Sequence, residues 1–316
     1  MISFILRKLA SYLSFFYKNE SLDPTKNRKI LKEINLRLKK IKYSKSVLKK
    51  THIRFNSQVY NLLKNNKMKN FLRYSFIQKM FFIHNRLFIY NELKALQKSK
   101  SWKFYKKLLV EDNVGDPVRY FLYPISSGNR INHVYHLSHL INEFKADFNN
   151  IKNVFEFGGG YGCMARIFSK INPKIKYTCF DTYNVNLLQF YYLRYNNLNV
   201  GFSKKNNFYL NSDLKNIEYN DYKHNNLFIA NWSISETPIN FRKNFEIIIK
   251  NSKYILIGFQ EIFENTNNLN YFKILRKKIC KNYKVKIIEN QFYKGNFIKK
   301  QKHFYFIAKK IKNYFK

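Results

Sequence analysis

Val154-Phe155-Glu156-Phe157-Gly158-Gly159-Gly160-Tyr161-Gly162 is the stretch that decides how this chain reads. A short apolar run forms a strand, and a glycine-rich turn follows it. Glycine lets the backbone bend tightly and lets a ligand approach the main chain. Residues 161–171 then carry helical spacing. A helix starting there aims free N–H groups and a partial positive charge at whatever sits on the turn. Strand, glycine turn and helix in this order open a parallel α/β sheet, where ligands bind beyond the carboxyl ends of the strands.

Outward from this unit the alternation continues. Tyr177-Thr178-Cys179-Phe180 reads as a second strand ending at Asp181, and residues 187–195 as a helix. Phe208-Tyr209-Leu210, Leu227-Phe228-Ile229-Ala230 and Tyr254-Ile255-Leu256-Ile257-Gly258 read as three more strands, with a helix over 238–251. Val285-Lys286-Ile287-Ile288 and Phe304-Tyr305-Phe306-Ile307 lack a helix of usual length between them, which predicts an antiparallel C-terminal hairpin. The pattern predicts a doubly wound, Rossmann-like sheet. Upstream, Gly115-Asp116-Pro117 and Ser126-Ser127-Gly128-Asn129 are turn signals, followed by a helix over 132–148. Residues 1–110 read as amphipathic helices, so the 316-residue chain divides into an N-terminal helical region, 1–110, and a sheet-bearing domain, 111–316.

The dinucleotide fingerprint G-x-G-x-x-G would need glycine at 163, where Cys163 stands. The spacing fits instead the [DE]-x-G-x-G-x-G pattern of class I S-adenosylmethionine-dependent methyltransferases. On that pattern Glu156 faces the cofactor's ammonium, a charge-assisted arrangement. Gly158, Gly159, Gly160, Tyr161 and Gly162 cradle the methionine end. Asp181, about 20 residues beyond the turn, accepts the ribose hydroxyls, with Thr182 beside it. Asn231 and Ser233, after the fourth strand, are placed to contact cofactor or acceptor.

At these residues the chain resembles the sugar O-methyltransferases of bacterial polysaccharide and glycan gene clusters. The resemblance is carried by residues 154–162, by Phe180-Asp181 followed by Leu187-Leu188-Gln189-Phe190-Tyr191-Tyr192-Leu193, by Asn231-Trp232-Ser233-Ile234-Ser235-Glu236, and by Gly115-Asp116-Pro117. It spans roughly residues 111–265, and more loosely Asn70-Phe71-Leu72-Arg73. It implies S-adenosyl-L-methionine as cofactor and methyl transfer to a hydroxyl of a sugar, nucleotide-sugar or glycan acceptor. Some enzymes of this chemistry use a divalent ion, but no His/Asp/Glu cluster here has metal-ligand spacing.

A sugar hydroxyl is a poor acid, so a general base helps as its proton leaves. Glu236, His133, His136 and Glu261 are the candidates, with His303 behind them. Ser233-x-x-Glu236 reads equally as a capping box, and each histidine equally as a packed or surface residue.

The formal net charge of +40 invites an anionic partner. Lysine is scattered along the whole length, and Lys, Asn, Ile, Phe and Tyr are abundant together, so A/T-rich codon usage would produce the same excess and stands beside the anionic partner as its source. Residue 231 onward lacks the [DN]-P-P-[FY] of exocyclic-amine methylation and a nucleophilic cysteine, which argues against nucleic-acid base methylation. RNA ribose methylation, a non-sugar acceptor and a non-catalytic scaffold are the alternatives. Cys163, Cys179 and Cys280 form no C-x-x-C pair, consistent with a reducing cytoplasm. Residues 1–16 are too short to span a bilayer but fit an interfacial helix, which would make the chain peripheral to the inner membrane, or a helix packed on the body.

Overall fold

The apolar runs form strands buried on both faces, as a sheet covered by helices on each side requires. The computed structural model describes residues 13, 19–39, 50–81, 87–217, 226–292 and 301–311. Most of the N-terminal segment 1–16 thus lies outside the described residues. Strands β1 (Arg119–Tyr120) and β2 (Tyr123–Ser127) make a small antiparallel hairpin that sequence reading misses. Then follow β3 (Asn153–Phe157), β4 (Lys176–Phe180), β5 (Val200–Gly201), β6 (Phe208–Asn211), β7 (Asn226–Asn231) and β8 (Tyr254–Gln260). A two-residue pair, β9 (Ile262–Phe263) and β10 (Thr266–Asn267), precedes β11 (Tyr283–Glu289) and β12 (His303–Lys310).

Eight strands join in the order β11-β12-β8-β7-β3-β4-β6-β5. All pairs from β8 to β5 are parallel, and β12 runs antiparallel to both β8 and β11. The sheet and its C-terminal hairpin are therefore as expected, with β5 an additional short edge strand. The chain leaves β3 first to one side, towards β4, and later returns to its other side as β7. Such a reversal opens a crevice at the carboxyl ends of the two strands.

Among the described residues the helices are α1 (Pro24–Leu38), α2 (Lys50–Lys64), α3 (Ser75–Met80), α4 (Leu87–Lys98), α5 (Trp102–Leu108), α6 (Gly128–Phe144), α7 (Cys163–Ile171), α8 (Tyr183–Tyr195), α9 (Ile239–Arg242), α10 (Glu246–Asn251) and α11 (Asn268–Ile279). Helix α6 begins four residues before the predicted 132. Ser127 is its cap, its hydroxyl accepting from the Arg130 N–H at 3.1 Å, so Gly128 and Asn129 are helical. Lys145, left-handed at φ 51°, ends it before 148. The single helix expected over 238–251 is broken into α9 and α10 by a 3₁₀ turn. Helix α11 was not foreseen.

One face of the sheet buries β3, α6, α7, α8 and the helices of the N-terminal region in a continuous apolar cluster, and the other buries Phe155, Phe228 and Phe245 against α10 and α11. A buried ion network holds the start of α6. Arg130 bonds Glu111 at 2.9 Å, Asp112 at 2.8 Å and the Tyr192 hydroxyl at 3.0 Å, while Arg166 takes Asp112 from the other side at 2.8 Å. Burial alone would raise the Asp112 carboxyl, but Arg130, Arg166 and Lys170 together bring it down to about 2. Cys163, Cys179 and Cys280 are free. Among the described residues no helix is long and apolar enough to cross a membrane.

Candidate functional site

Between β3 and α7 the chain turns through Gly158, Gly160 and Gly162 at φ +73°, +57° and +99°. A Cβ on Gly158 would lie 2.3 Å from the Ser233 Cβ, so no side chain fits there. The Gly158 N–H donates to the Phe180 carbonyl at 2.9 Å, which ties the turn to the end of β4. Glu156 is buried beneath the turn. Its Oε2 accepts from the Tyr177 hydroxyl at 2.8 Å and would stand 2.8 Å from a Cβ on Gly159. Burial pushes its carboxyl up to about 8; the Tyr177 bond pulls it back, and the neighbouring Asp181 charge adds to the rise.

Asp181 follows β4. Its Oδ1 accepts from the Thr182 N–H at 2.7 Å and its Oδ2 from Gln189 Nε2 at 3.4 Å. The same Gln189 nitrogen donates to the Gly160 carbonyl at 3.0 Å. Gln189, fully buried on α8, therefore bridges the glycine turn and Asp181, and its Oε1 has no partner. Sequence reading passed over it. The available signal was one amide in the otherwise apolar run Leu187-Leu188-Gln189-Phe190.

The N-terminal helices form the roof. Thr182 Oγ1 donates to Asn56 Oδ1 at 3.1 Å, and Asn184 Nδ2 to the Asn56 carbonyl at 3.2 Å. Phe81 lies 3.2 Å from where a Gly160 Cβ would be, and packs edge-on against Phe55 at 5.4 Å. Neither Asn56 nor Phe81 carried a sequence signal. Tyr161 is buried with its ring against Tyr192, and its hydroxyl accepts from Asn129 Nδ2 at 3.0 Å.

After β7, Ser233 donates its hydroxyl to the Phe157 carbonyl at 2.5 Å and makes no cap bond to its own helix. The capping-box alternative is thus replaced by a tie to the glycine turn. Asn231 Oδ1 accepts from the Gly258 N–H at 3.2 Å, leaving its buried Nδ2 without a partner. Glu236 accepts from Gln260 Nε2 at 3.2 Å. Glu261 stands half-exposed just past β8, its backbone bonded to Lys302 and Asn268.

Trp232 takes the left-handed conformation at φ +47°, and its ring lies over Gly258, where a Cβ would be 2.8 Å away. Its indole N–H donates to His303 Nδ1 at 2.7 Å, so the His303 proton sits on Nε2 in the neutral ring. His136 packs on Trp232 and Tyr305 at 5.0 and 5.3 Å, and both of its ring nitrogens lack partners. His133 Nδ1 lies 2.9 Å from the Asn129 carbonyl, which only accepts, so Nδ1 carries the proton and Nε2 offers a lone pair. Burial brings His133 down to about 4 and His136 well below the usual range, so both are neutral at physiological pH. The structure thus packs His133, His136, Trp232 and His303 into one cluster of rings and pairs Glu236 with Gln260. Among the described residues no group of three metal-ligating side chains could hold an ion.

No family model matches the chain, and no curated protein matches it. Solved structures do. The O-methyltransferase StiE, residues 961–1257, is 12% identical, with 56% of this chain and 74% of that chain covered and a TM-score of 0.41. The N-terminal domain of EvdMO1, with S-adenosylhomocysteine (SAH) bound, is 10% identical over 66% and 95%, with a TM-score of 0.40. An rRNA methylase from Streptococcus thermophilus is 14% identical over 52% and 93%, with a TM-score of 0.37. At these identities and scores the likenesses carry no weight for ligand or substrate.

Proposed function

We propose that this chain binds S-adenosyl-L-methionine on the turn after β3 and transfers its methyl group to a sugar hydroxyl. One observation carries the reading: Gln189 binds the carbonyl of Gly160 and the carboxylate of Asp181 at once, fixing the two halves of a nucleoside–amino-acid site relative to each other. The residues fit such a ligand. The Gln189 Oε1, beside the turn and Asp181, is a buried acceptor with no donor among the described residues, and Gly158, Gly160 and Gly162 put no side chain over the turn. Asp181 would take the ribose hydroxyls, and Glu156 would supply the carboxylate facing the ammonium. A cation brought there would favour ionisation of Glu156, opposing the effect of burial.

The cofactor, when bound, supplies an electrophilic methyl group on a sulfonium. The chain's own work is then to position an acceptor oxygen and take its proton. His133 has the geometry for the second task, because the Asn129 carbonyl fixes its tautomer with Nε2 unprotonated. His136, with two unpaired ring nitrogens, offers the acceptor a hydrogen-bond partner, and Trp232 offers an aromatic wall. Glu236 remains a ligand for an acceptor hydroxyl, already oriented by Gln260. A cluster of imidazoles and amides offers hydrogen-bond partners to a polyhydroxylated acceptor, and the resemblance of residues 154–162 and 231–236 supports a sugar.

The test has two parts. Calorimetric titration should show binding of SAH that Asp181→Ala and Gly160→Leu weaken while the fold persists. Labelled methyl from the cofactor should pass to nucleotide-sugar or glycan acceptors and not to RNA. Binding unaffected by both substitutions refutes the site; label on RNA alone refutes the acceptor.

A further inference from the structure

The β1–β2 hairpin breaks the chemistry of its own turn. Tyr120 pairs with Tyr123, so Phe121 and Leu122 form a two-residue loop. Loops of that length favour Asn-Gly or similar polar pairs. Here Phe121, Leu122 and Ile125 are 44%, 50% and 50% exposed, and neighbouring Val110 is 47% exposed. Four apolar side chains, grouped at one protruding element, form a patch that calls for a partner.

The hairpin is held rigidly. Arg119 donates to the Ile125 carbonyl at 3.2 Å, to Asn19 at 2.7 Å and to Asn113 at 2.5 Å, and the Glu111 N–H donates to the Ile125 carbonyl at 2.9 Å. Trp102 meets Tyr123, the residue that closes the loop, at 6.4 Å between centroids. Trp102 belongs to a stretch that is basic throughout. Lys98, Lys100, Lys103, Lys106 and Lys107 are all exposed, and no Asp or Glu occurs from 98 to 110.

We propose that this hairpin is an interfacial anchor, with Phe121, Leu122 and Ile125 entering the acyl boundary of an anionic bilayer and the lysines of α4 and α5 binding its headgroups. An apolar tip, a Trp–Tyr contact beside it and a lysine-rich stretch on either side of that Trp are the features by which a surface lies on, without spanning, a charged membrane. Charge decides against a second copy of the chain as occupant. A symmetric contact through this patch would set five lysines against five on chains of net charge +40. This anchor stands on a different element from the N-terminal segment, and does not depend on the methyl-transfer reading.

A chain this basic adheres electrostatically to anionic vesicles through any face, so the test must read insertion. Trp is introduced by Phe121→Trp, and separately by Ile247→Trp on α10, where Ile247 is 50% exposed on the opposite face of the sheet. Each full-length protein is mixed with vesicles of phosphatidylcholine and phosphatidylglycerol carrying brominated acyl chains, and the signal of the native protein, with Trp102 and Trp232, is subtracted. Quenching at 121 and not at 247 is expected. A Phe121→Ser, Leu122→Ser, Ile125→Ser variant should lose roughly tenfold in vesicle partitioning at about 0.5 M salt, where adhesion of exposed charges is screened. Absence of quenching at 121, equal quenching at both sites, or undiminished partitioning of the triple variant overturns the proposal. So does a concentration-dependent dimer in lipid-free buffer that the triple variant abolishes, since the patch would then belong to a second copy.

Discussion

Replacing Gly158 by alanine puts the geometry of the turn to a quantitative test. At φ +73° an L-residue costs about 1–2 kcal/mol. The new methyl would also lie 2.3 Å from the Ser233 Cβ. Ser233 has little freedom to yield, because its hydroxyl is held by the Phe157 carbonyl at 2.5 Å. Overpacking of this kind costs about 1–3 kcal/mol, so Gly158→Ala should destabilise by about 2–5 kcal/mol. Ser233→Gly removes the opposing Cβ and leaves the backbone penalty in place. It loses its own hydrogen bond, about 1 kcal/mol. In a double-mutant cycle the alanine should therefore cost less in the Ser233→Gly background, by about the 1–3 kcal/mol assigned to the clash. Urea unfolding of the four proteins, extrapolated to water, measures the cycle. Additivity of the two changes within about 0.5 kcal/mol would refute the contact as the source of the cost.

Three further substitutions probe the bridge, the ion network and the buried carboxyl. Gln189→Leu should weaken SAH binding by roughly tenfold, because the Gly160 carbonyl and Asp181 lose their shared donor; calorimetric affinity equal to that of the native protein would count against the bridge. Arg130→Met leaves the buried Glu111 without its cation, while Asp112 keeps Arg166 and Lys170, and should cost about 3–5 kcal/mol in urea unfolding; a loss under about 1 kcal/mol would mean the network is dispensable. Glu92, buried with the Asn132 amide donating to it, is pushed up by burial to about 8. Above the ordinary glutamate range the unfolded chain has released this proton while the fold retains it, so the native state binds more protons and stability falls as pH rises towards 8. Between about pH 6 and 7.5 the slope is about 1.4 kcal/mol per pH unit at first, or about 2 kcal/mol over the window, and it falls to about half by pH 8. Glu92→Gln should remove that share of the slope in denaturation series across the window, and a slope unchanged by the substitution would disprove the assignment.

Legible in the residues alone are the strand that opens the sheet, the glycine turn after it, Asp181 at the end of the second strand and the antiparallel final pair. These features are local. A continuous apolar run, a glycine cluster or a carboxylate one residue past a strand is visible within ten residues. What faces them is set by how the helices pack. Gln189 looks like any helical amide until α8 lays it between Gly160 and Asp181, and Asn56 and Phe81 reach the site from more than seventy residues upstream. Ser233 followed by Glu236 reads as a cap, yet its hydroxyl finds the Phe157 carbonyl across the sheet instead. Hydrophobic periodicity reports that a face is buried, not against which partner. The hydrogen bonds and packing that complete this site connect residues distant in sequence, so they are set only when the helices close on the sheet.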